Sequence, residues 1–190
     1  MPLSEYPLRL AVIIGSVRKD RFGPTVATWL MTRVEGRDGL ETDVIDLADL
    51  QLPADLGGGG DTAGFLKRID RADAFIVVTP EYNHGYPGGL KTAIDTGRDE
   101  WKAKPVAFVS YGGTAGGLRS VEQLRPVFAE LQAVTVRSAV SLHWADSLFD
   151  ERGRMLDPER PESAVDTMLR QLEWWGHVLR AGRGRGDCPG

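Results

Sequence analysis

The 190-residue chain has almost no cysteine, few histidines and no long apolar run. Cys188 is the only cysteine, which excludes a disulfide within the chain and argues against a cysteine-based metal site. The three histidines, His84, His143 and His177, are far apart in sequence, so we expect no metal site. No apolar run approaches the ~20 residues that span a bilayer, and we expect no membrane association.

Signals for export and for nucleic-acid binding are also missing. Residues 1–10 contain no basic head followed by an apolar segment, so we expect a cytoplasmic protein. The net charge is −4, and no basic stripe offers a surface to nucleic acid. At roughly 100–200 residues per domain, the length predicts a single domain, which we place at 1–181. The remaining residues, 182–190, are poor in apolar side chains and predict a disordered tail.

Five short apolar runs alternate with segments of helical spacing. The runs are Leu10–Ile14, Val44–Leu47, Ala74–Thr79, Val106–Ser110 and Val134–Val140. Three of them are nearly continuous and rich in β-branched residues, which is typical of strands buried on both faces of a parallel sheet. Five strand–helix units predict a flavodoxin-like α/β three-layer sandwich. We expect a five-stranded parallel sheet in the order 2-1-3-4-5 with helices on both faces.

Glycine is in surplus, with 23 residues, or about 12% where about 7% is usual. Many turns or a flexible tail would explain this, and so would close approach of the backbone to a ligand. Nine glycines fall in three loops that follow the first, third and fourth predicted strands. They are Gly15, Gly23, Gly85, Gly88, Gly89, Gly112, Gly113, Gly116 and Gly117. Ligands of open α/β sheets bind beyond the carboxyl ends of the strands, where these loops should meet.

The first loop, Gly15–Pro24, has the parts of an anion site. It matches neither the dinucleotide fingerprint nor the triphosphate-binding loop. Ser16 offers a hydroxyl, Arg18 and Arg21 offer guanidinium groups, and the next helix presents its positive N-terminus. These features favour a monophosphate over a pyrophosphate. The alternative is that both arginines are solvated surface residues.

The second loop, Thr79–Gly89, is stiffened by two prolines and carries Glu81, Tyr82, Asn83 and His84. An aromatic side chain here can lie along a flat ring, and the amides of the Pro80–Asn83 stretch can reach its polar edge. A type I or II turn with exposed polar residues is the alternative.

The third loop, Tyr111–Arg119, has four glycines in nine residues. Such a bare backbone can press against a planar group, although simple flexibility would also account for it.

Together the three loops resemble the NADPH-dependent FMN reductase family of flavodoxin-like flavoproteins. The matching residues are the Gly15-Ser16-x-Arg18 turn, Thr79 to Asn83 followed by Pro87 to Asp95, and the Ser110-x-Gly112-Gly113 turn. The resemblance covers about residues 9–140. The chain departs from the commonest family form at Arg21 and Gly23, where serine and asparagine usually stand, and at Gly85 and Thr92.

The resemblance implies a bound FMN. Its phosphate would lie on the first loop, and its ring would lie against Pro80–Asn83 with Gly112 and Gly113 on the other side. The residues expected to bind the cofactor are Ser16, Arg18, Arg21, Phe22, Gly23, Pro80, Glu81, Tyr82, Asn83, Ser110, Tyr111, Gly112 and Gly113. We expect no catalytic side chain, because the flavin itself carries the hydride chemistry.

The resemblance further implies NAD(P)H, and NADPH in particular, as co-substrate. It also implies a homodimer or a dimer of dimers with the active site at the subunit boundary. The helix from Leu90 and the polar excursion over 142–161 are the candidate interface segments.

We therefore expect an NAD(P)H-dependent oxidoreductase that passes electrons to free flavin, a quinone, an azo compound or a metal oxyanion. One alternative is an electron carrier or flavin-binding module without its own NAD(P)H activity, and another is a nucleotide-sensing module. The mild net charge of −4 argues against a carrier, because carriers usually dock through a strongly acidic surface.

Overall fold

The computed structural model describes residues 7–186 and residue 188. Within them, the chain forms one parallel sheet with helices on both sides. The strands are β1 (Leu8–Ile14), β2 (Leu40–Asp46), β3 (Ala74–Pro80), β4 (Pro105–Gly112), β5 (Val134–Thr135) and β6 (Val140–His143). The helices are α1 (Gly23–Val34), α2 (Thr62–Arg71), α3 (Gly88–Thr96), α4 (Leu118–Glu130) and α5 (Glu159–Arg183). The order β2-β1-β3-β4-β5 confirms the predicted flavodoxin-like three-layer α/β sandwich.

Two cores form because successive residues of the central strands point to opposite faces of the sheet. Leu10, Val12 and Ile14 of β1 face α1 and α5, together with alternate residues of β3 and β4. Ala11 and Ile13 face α2, α3 and α4. Both faces of β3 are covered, which explains why its sequence is continuously apolar rather than alternating.

The predicted fifth strand is interrupted. A single strand over Val134–Val140 was expected, but β5 and β6 pair separately with β4 and are joined by residues 136–139. Arg125 of α4 donates hydrogen bonds to two carbonyls of this joining segment, from Nη1 to Val136 O at 2.9 Å and from Nη2 to Arg137 O at 3.2 Å. The carbonyl of Val136, whose N–H still bonds Val106 O, is therefore taken by Arg125 rather than by β4, at the point where the strand breaks.

The second strand begins earlier than its apolar residues indicate. The expected run was Val44–Leu47, whereas β2 covers Leu40–Asp46 and pairs with β1 alone. As an edge strand it leaves Val44 exposed, so its sequence carries little apolar signal.

The amino end of the sheet is fixed by one buried carboxylate. Asp73, just before β3, accepts hydrogen bonds from the backbone and Nε of Arg9 at 3.1 and 3.2 Å. Arg180 and Arg183, at the end of α5, donate to it at 3.3 and 3.1 Å. Burial alone would raise the pKa of Asp73, but the hydrogen bonds and charge of Arg9, helped by Arg180, hold that pKa below its usual range.

Lys104 is buried beside this carboxylate. Its ammonium donates to Ile69 O at 2.8 Å and Asp70 O at 2.7 Å, two carbonyls in the last turn of α2. Burial, with the nearby charge of Arg183, lowers the pKa of Lys104 to about 8.

The last helix runs two residues past the predicted domain boundary at 181. Arg183 ends α5 and donates to Ala103 O at 2.6 Å, so the helix is anchored at its final turn. Of the predicted tail at 182–190, positions 187, 189 and 190 lie outside the described residues.

The polar excursion after β6 begins on the chain's own core. Phe149 is buried against Phe22, with ring centroids 5.4 Å apart, and against Trp29 at 6.2 Å. Leu156 N donates to Leu148 O at 2.9 Å and closes the segment, while the Leu156 side chain stays exposed. None of the helices in the described chain has the length and apolar character needed to cross a membrane.

Candidate functional site

Three loops meet at the carboxyl edge of the sheet, where the strand order reverses between β1 and β3. We call them loop 1 (residues 15–22), loop 2 (81–87) and loop 3 (113–117). The strands that lead into them end in register, with Ile14 beside Val78 and Pro80 beside Tyr111. All thirteen residues expected at the site lie in these loops or at the ends of the elements that flank them.

Loop 1 joins β1 to α1 and carries the expected anion-binding groups. Ser16 is fully buried, and its hydroxyl shares a 2.5 Å hydrogen bond with the hydroxyl of Tyr82 from loop 2. Arg18 is exposed and makes no hydrogen bond or ion pair within the described chain. The α1 helix begins at Gly23 without a side-chain cap, so its first N–H groups are available to an anion.

Arg21 is bound within the chain. Its Nη2 donates to Asp46, the last residue of β2, in a part-buried ion pair. Its Nε is buried without a partner, and so is the hydroxyl of Tyr111 at the end of β4. Burial raises the pKa of Tyr111 well above its usual range despite the opposing effect of the nearby Ser16 hydroxyl, so the Tyr111 hydroxyl stays protonated. Buried donors normally have partners, and two without one beside an uncapped helix suit a ligand rich in acceptor oxygens.

Loop 2 is a tight turn docked on α4. Tyr82 and Gly85 exchange backbone hydrogen bonds at 2.9 and 3.1 Å, and both central residues, Asn83 and His84, have positive φ (48° and 71°). Positive φ at both positions defines a type I′ turn, so the type I and type II alternatives are wrong.

Arg119 holds loop 2 against the start of α4. Its Nε pairs with Glu81 at 3.0 Å, and its Nη1 donates to Nδ1 of His84 at 2.8 Å. The Glu81 carboxylate also accepts from the backbone N–H of Arg119 at 3.2 Å. The Glu81 side chain is thus engaged inside the protein.

Loop 3 is held by β6 rather than flexible. Trp144 N donates to Gly113 O at 3.1 Å, His143 Nδ1 donates to Thr114 O at 2.8 Å, and Ser141 Oγ donates to Gly116 O at 2.7 Å. The buried Ser110 also donates to Gly116 O, at 2.8 Å, so its hydroxyl supports the loop from below.

The four glycines at the end of β4 and in loop 3 divide into two groups. Gly116 and Gly117 are buried with φ of 56° and 84°, and a Cβ on Gly117 would lie 2.6 Å from Ser110 Cβ, so these two serve the chain's own packing. At Gly112 and Gly113 a Cβ would meet nothing closer than 3.5 Å. Only this second pair presents open backbone at the surface of loop 3.

Three residues at this edge escaped the sequence reasoning: Asp46, Arg119 and Trp144. Asp46 pairs with Arg21, Arg119 orients loop 2, and the exposed Trp144 follows β6 beside Gly113. Arg119 directly follows the glycine-rich third loop, and Asp46 ends a strand at the same edge, so position in the topology was an available signal for both.

The fold is that of a flavodoxin-like protein in which three loops bring the predicted site residues together at the carboxyl edge of the sheet. Residues 8–146 match the family model described as NADPH-dependent FMN reductase. The chain belongs to this family and is an oxidoreductase, as the resemblance in its loops implied.

Individual relatives agree with this assignment. The chain is 34% identical over 184 residues to a quinone reductase of Pseudomonas putida, which covers 90% of this chain and 96% of that protein. It is 35% identical over 147 residues to an NAD(P)H-dependent FMN reductase of Schizosaccharomyces pombe, covering 70% and 73%. Among solved structures it is similar to FerB, a flavoenzyme NAD(P)H:(acceptor) oxidoreductase of Paracoccus denitrificans. That match has a TM-score of 0.75 and 27% identity, and covers 88% of this chain and 98% of FerB.

Proposed function

We propose that the protein binds FMN at the carboxyl edge of its sheet and uses NAD(P)H, with NADPH preferred, to reduce a small-molecule acceptor. The acceptor would be a quinone, free flavin, an azo compound or a metal oxyanion. The observation that carries the proposal is the pair of buried donors without partners, Tyr111 OH and Arg21 Nε, beside the uncapped start of α1. The names of the relatives support the same activity.

The phosphate of FMN would be held by loop 1. Arg18 supplies a free positive charge, Ser16 a hydroxyl, and the first turn of α1 its N–H groups and positive dipole end. Because Arg21 is already paired with Asp46, its net charge is largely neutralised, and we assign it a supporting role through Nε. Phe22 and Gly23 shape the turn, since a Cβ on Gly23 would lie 3.0 Å from the Tyr111 hydroxyl.

The flat ring of FMN would lie between loops 2 and 3. Pro80, Glu81, Tyr82 and Asn83 supply a rigid edge with backbone amides, because the turn is locked by Arg119. Gly112 and Gly113 supply a surface without side chains. Tyr111 stays protonated and therefore acts as a hydrogen-bond donor toward the cofactor.

Bound FMN supplies the two-electron chemistry, by which NAD(P)H, a proton and an oxidised acceptor become NAD(P)+ and the reduced acceptor. The protein contributes position: loop 2 is fixed by Arg119 and loop 3 by β6, so two flat reactants can meet over a rigid surface. We further propose a cytoplasmic homodimer or dimer of dimers, with α3 and the exposed tip around Leu156 as candidate subunit contacts.

The activity is tested with purified protein. It should be yellow, release FMN on denaturation, and lose its flavin absorbance rapidly when NADPH is added without oxygen. A protein that takes up no FMN would overturn the proposal. Bleaching only after a separate reductase is added would favour an electron carrier.

The phosphate assignment is tested with Arg18→Ala. A hydrogen bond to a charged group contributes about 1.5–3 kcal/mol, so FMN should bind about tenfold to a hundredfold more weakly. Lys19→Ala removes the adjacent exposed cation and is the matched control, expected to change FMN affinity less than about threefold. Equal effects of the two substitutions would mean that Arg18 acts only as surface charge.

A further inference from the structure

Three large apolar side chains are left exposed at the carboxyl edge of the sheet. Val17 follows β1, Leu118 opens α4, and Trp144 follows β6. Trp144 is the largest of the three and is 58% exposed. Tryptophan is usually well buried because its ring has a large apolar surface, so an indole left in solvent beside a ligand site points to contact with a ligand.

The backbone of Trp144 is fixed on both sides. Its N–H donates to Gly113 O at 3.1 Å, and its carbonyl accepts from Ser147 N at 2.9 Å and Ser147 Oγ at 2.8 Å. Its φ of 49° lies in the left-handed region, which bulky side chains rarely adopt. The fold therefore holds the backbone of Trp144 in this conformation against its local preference.

The indole lies beside the open backbone of loop 3. A Cβ placed on Gly113 would be 3.8 Å from Cζ3 of Trp144, an ordinary van der Waals contact. The neighbouring His143 fixes the same loop through Thr114 O. Bare backbone at Gly113 and the aromatic ring of Trp144 thus lie side by side at this edge of the sheet.

We propose that Trp144 is a specificity-determining residue that contacts the electron acceptor and favours flat aromatic acceptors, such as naphthoquinones, over compact inorganic ions. This inference rests on the proposed function, because it takes the flavin ring to lie on loops 2 and 3. An indole attracts a flat ring through dispersion and offset stacking, and its face offers an anion neither charge nor a hydrogen-bond donor. One NAD(P)H and one proton convert the quinone to its hydroquinone, leaving NAD(P)+.

The kinetic test compares two acceptors on the FMN-loaded enzyme. In Trp144→Ala, the ratio of kcat/KM for 2-methyl-1,4-naphthoquinone to kcat/KM for ferricyanide should fall about threefold to tenfold. Trp144→Phe should keep most of the wild-type ratio. Trp174→Ala is the matched control, because Trp174 is 50% exposed but lies on α5 against Trp175, and it should leave the ratio unchanged. An unchanged ratio in Trp144→Ala overturns the proposal.

A binding measurement tests the same residue without turnover. Calorimetric titration with 2-naphthol, a flat ring that accepts no electrons, should give a Kd about threefold to tenfold higher in Trp144→Ala than in wild type. Unchanged Kd together with a lost oligomeric state in sedimentation would make Trp144 a subunit contact and overturn the proposal. If NADPH fails to reduce the bound FMN of the wild type, the proposed function fails, and the naphthol titration still decides whether Trp144 binds flat rings.

Discussion

Two clusters of polar side chains, one at each edge of the sheet, differ in whether their buried groups have partners. At the amino edge, Asp73 is surrounded by three arginine side chains, and the Lys104 ammonium is bound by two carbonyls. At the carboxyl edge, Tyr111 OH and Arg21 Nε are buried without partners. The groups around Asp73 and Lys104 satisfy one another and stabilise the fold. The buried donors at the carboxyl edge remain able to bond a ligand. Buried polar groups without partners cost stability, and such costs are expected at functional sites.

Arginine illustrates the difference most clearly. Arg180 and Arg183 end on Asp73 and connect α5 to the sheet. At the carboxyl edge, Arg21 and Arg119 likewise have carboxylate partners and build the loops, whereas the exposed Arg18 has none within the described chain. The carboxyl edge therefore contains both kinds of residue, and the unpaired ones mark where binding is expected.

The largest effect should come from the amino edge. Asp73→Asn leaves three arginines around a neutral amide, and loss of one partner of a buried ion pair costs about 3–5 kcal/mol of unfolding free energy. Urea unfolding followed by circular dichroism measures this loss. Asp43→Asn, at an exposed ion pair with Arg68, is the control and should cost less than about 1 kcal/mol. Similar losses in both variants would remove the contrast between the edges.

The pH dependence of stability should also report on the amino edge. The pKa of Lys104 is about 8 in the folded chain against 10.5 ordinarily. Between these pH values the unfolded chain binds a proton that the folded chain has released, so stability rises with pH by up to about 1.4 kcal/mol per unit. The unfolding free energy of the wild type, relative to that of Lys104→Met, should therefore be higher at about pH 10 than at about pH 8. Unfolding curves of both proteins at the two pH values measure this difference. Parallel pH profiles would contradict the low pKa.

The smallest effects are expected at the carboxyl edge, where one substitution should raise the stability of the protein and weaken its binding of FMN. Tyr111→Phe removes a buried hydroxyl that has no partner, so the FMN-free protein should gain up to about 1 kcal/mol of stability. The same change should weaken FMN binding about threefold to tenfold, because the donor is lost to the cofactor. Unfolding and FMN titration of one preparation measure both. A loss of stability in the FMN-free variant would mean that the hydroxyl has a partner within the protein.

Much of the fold could be predicted because the central strands are recognisable from their own residues alone. Ala74–Thr79 and Val106–Ser110 are covered on both faces, so continuous apolar sequence is enough to identify them. The strand order then places three glycine-bearing loops at one edge, as the structure confirms. That the residues of these loops hold FMN stays a prediction.

The rest depends on contacts between distant residues. The break in the fifth strand coincides with a hydrogen bond from Arg125, which belongs to α4. No local pattern in residues 134–140 predicts this contact. Ser16 meets Tyr82, 66 residues further on, and Arg21 meets Asp46, 25 residues further on. Side chains that sequence reasoning assigned to a ligand thus have partners within the chain, and only three-dimensional proximity reveals it.

The position of α5 has a consequence for biosynthesis. Every residue of the carboxyl edge has been synthesised once Trp144 is made, but Val165, Met168, Leu169 and Leu172 still have to cover one of the two cores. Arg180 and Arg183 then complete the shell around Asp73, more than a hundred residues after that aspartate left the ribosome. The nascent chain therefore carries an open apolar face until α5 has emerged, and this is the interval in which it is most exposed to aggregation.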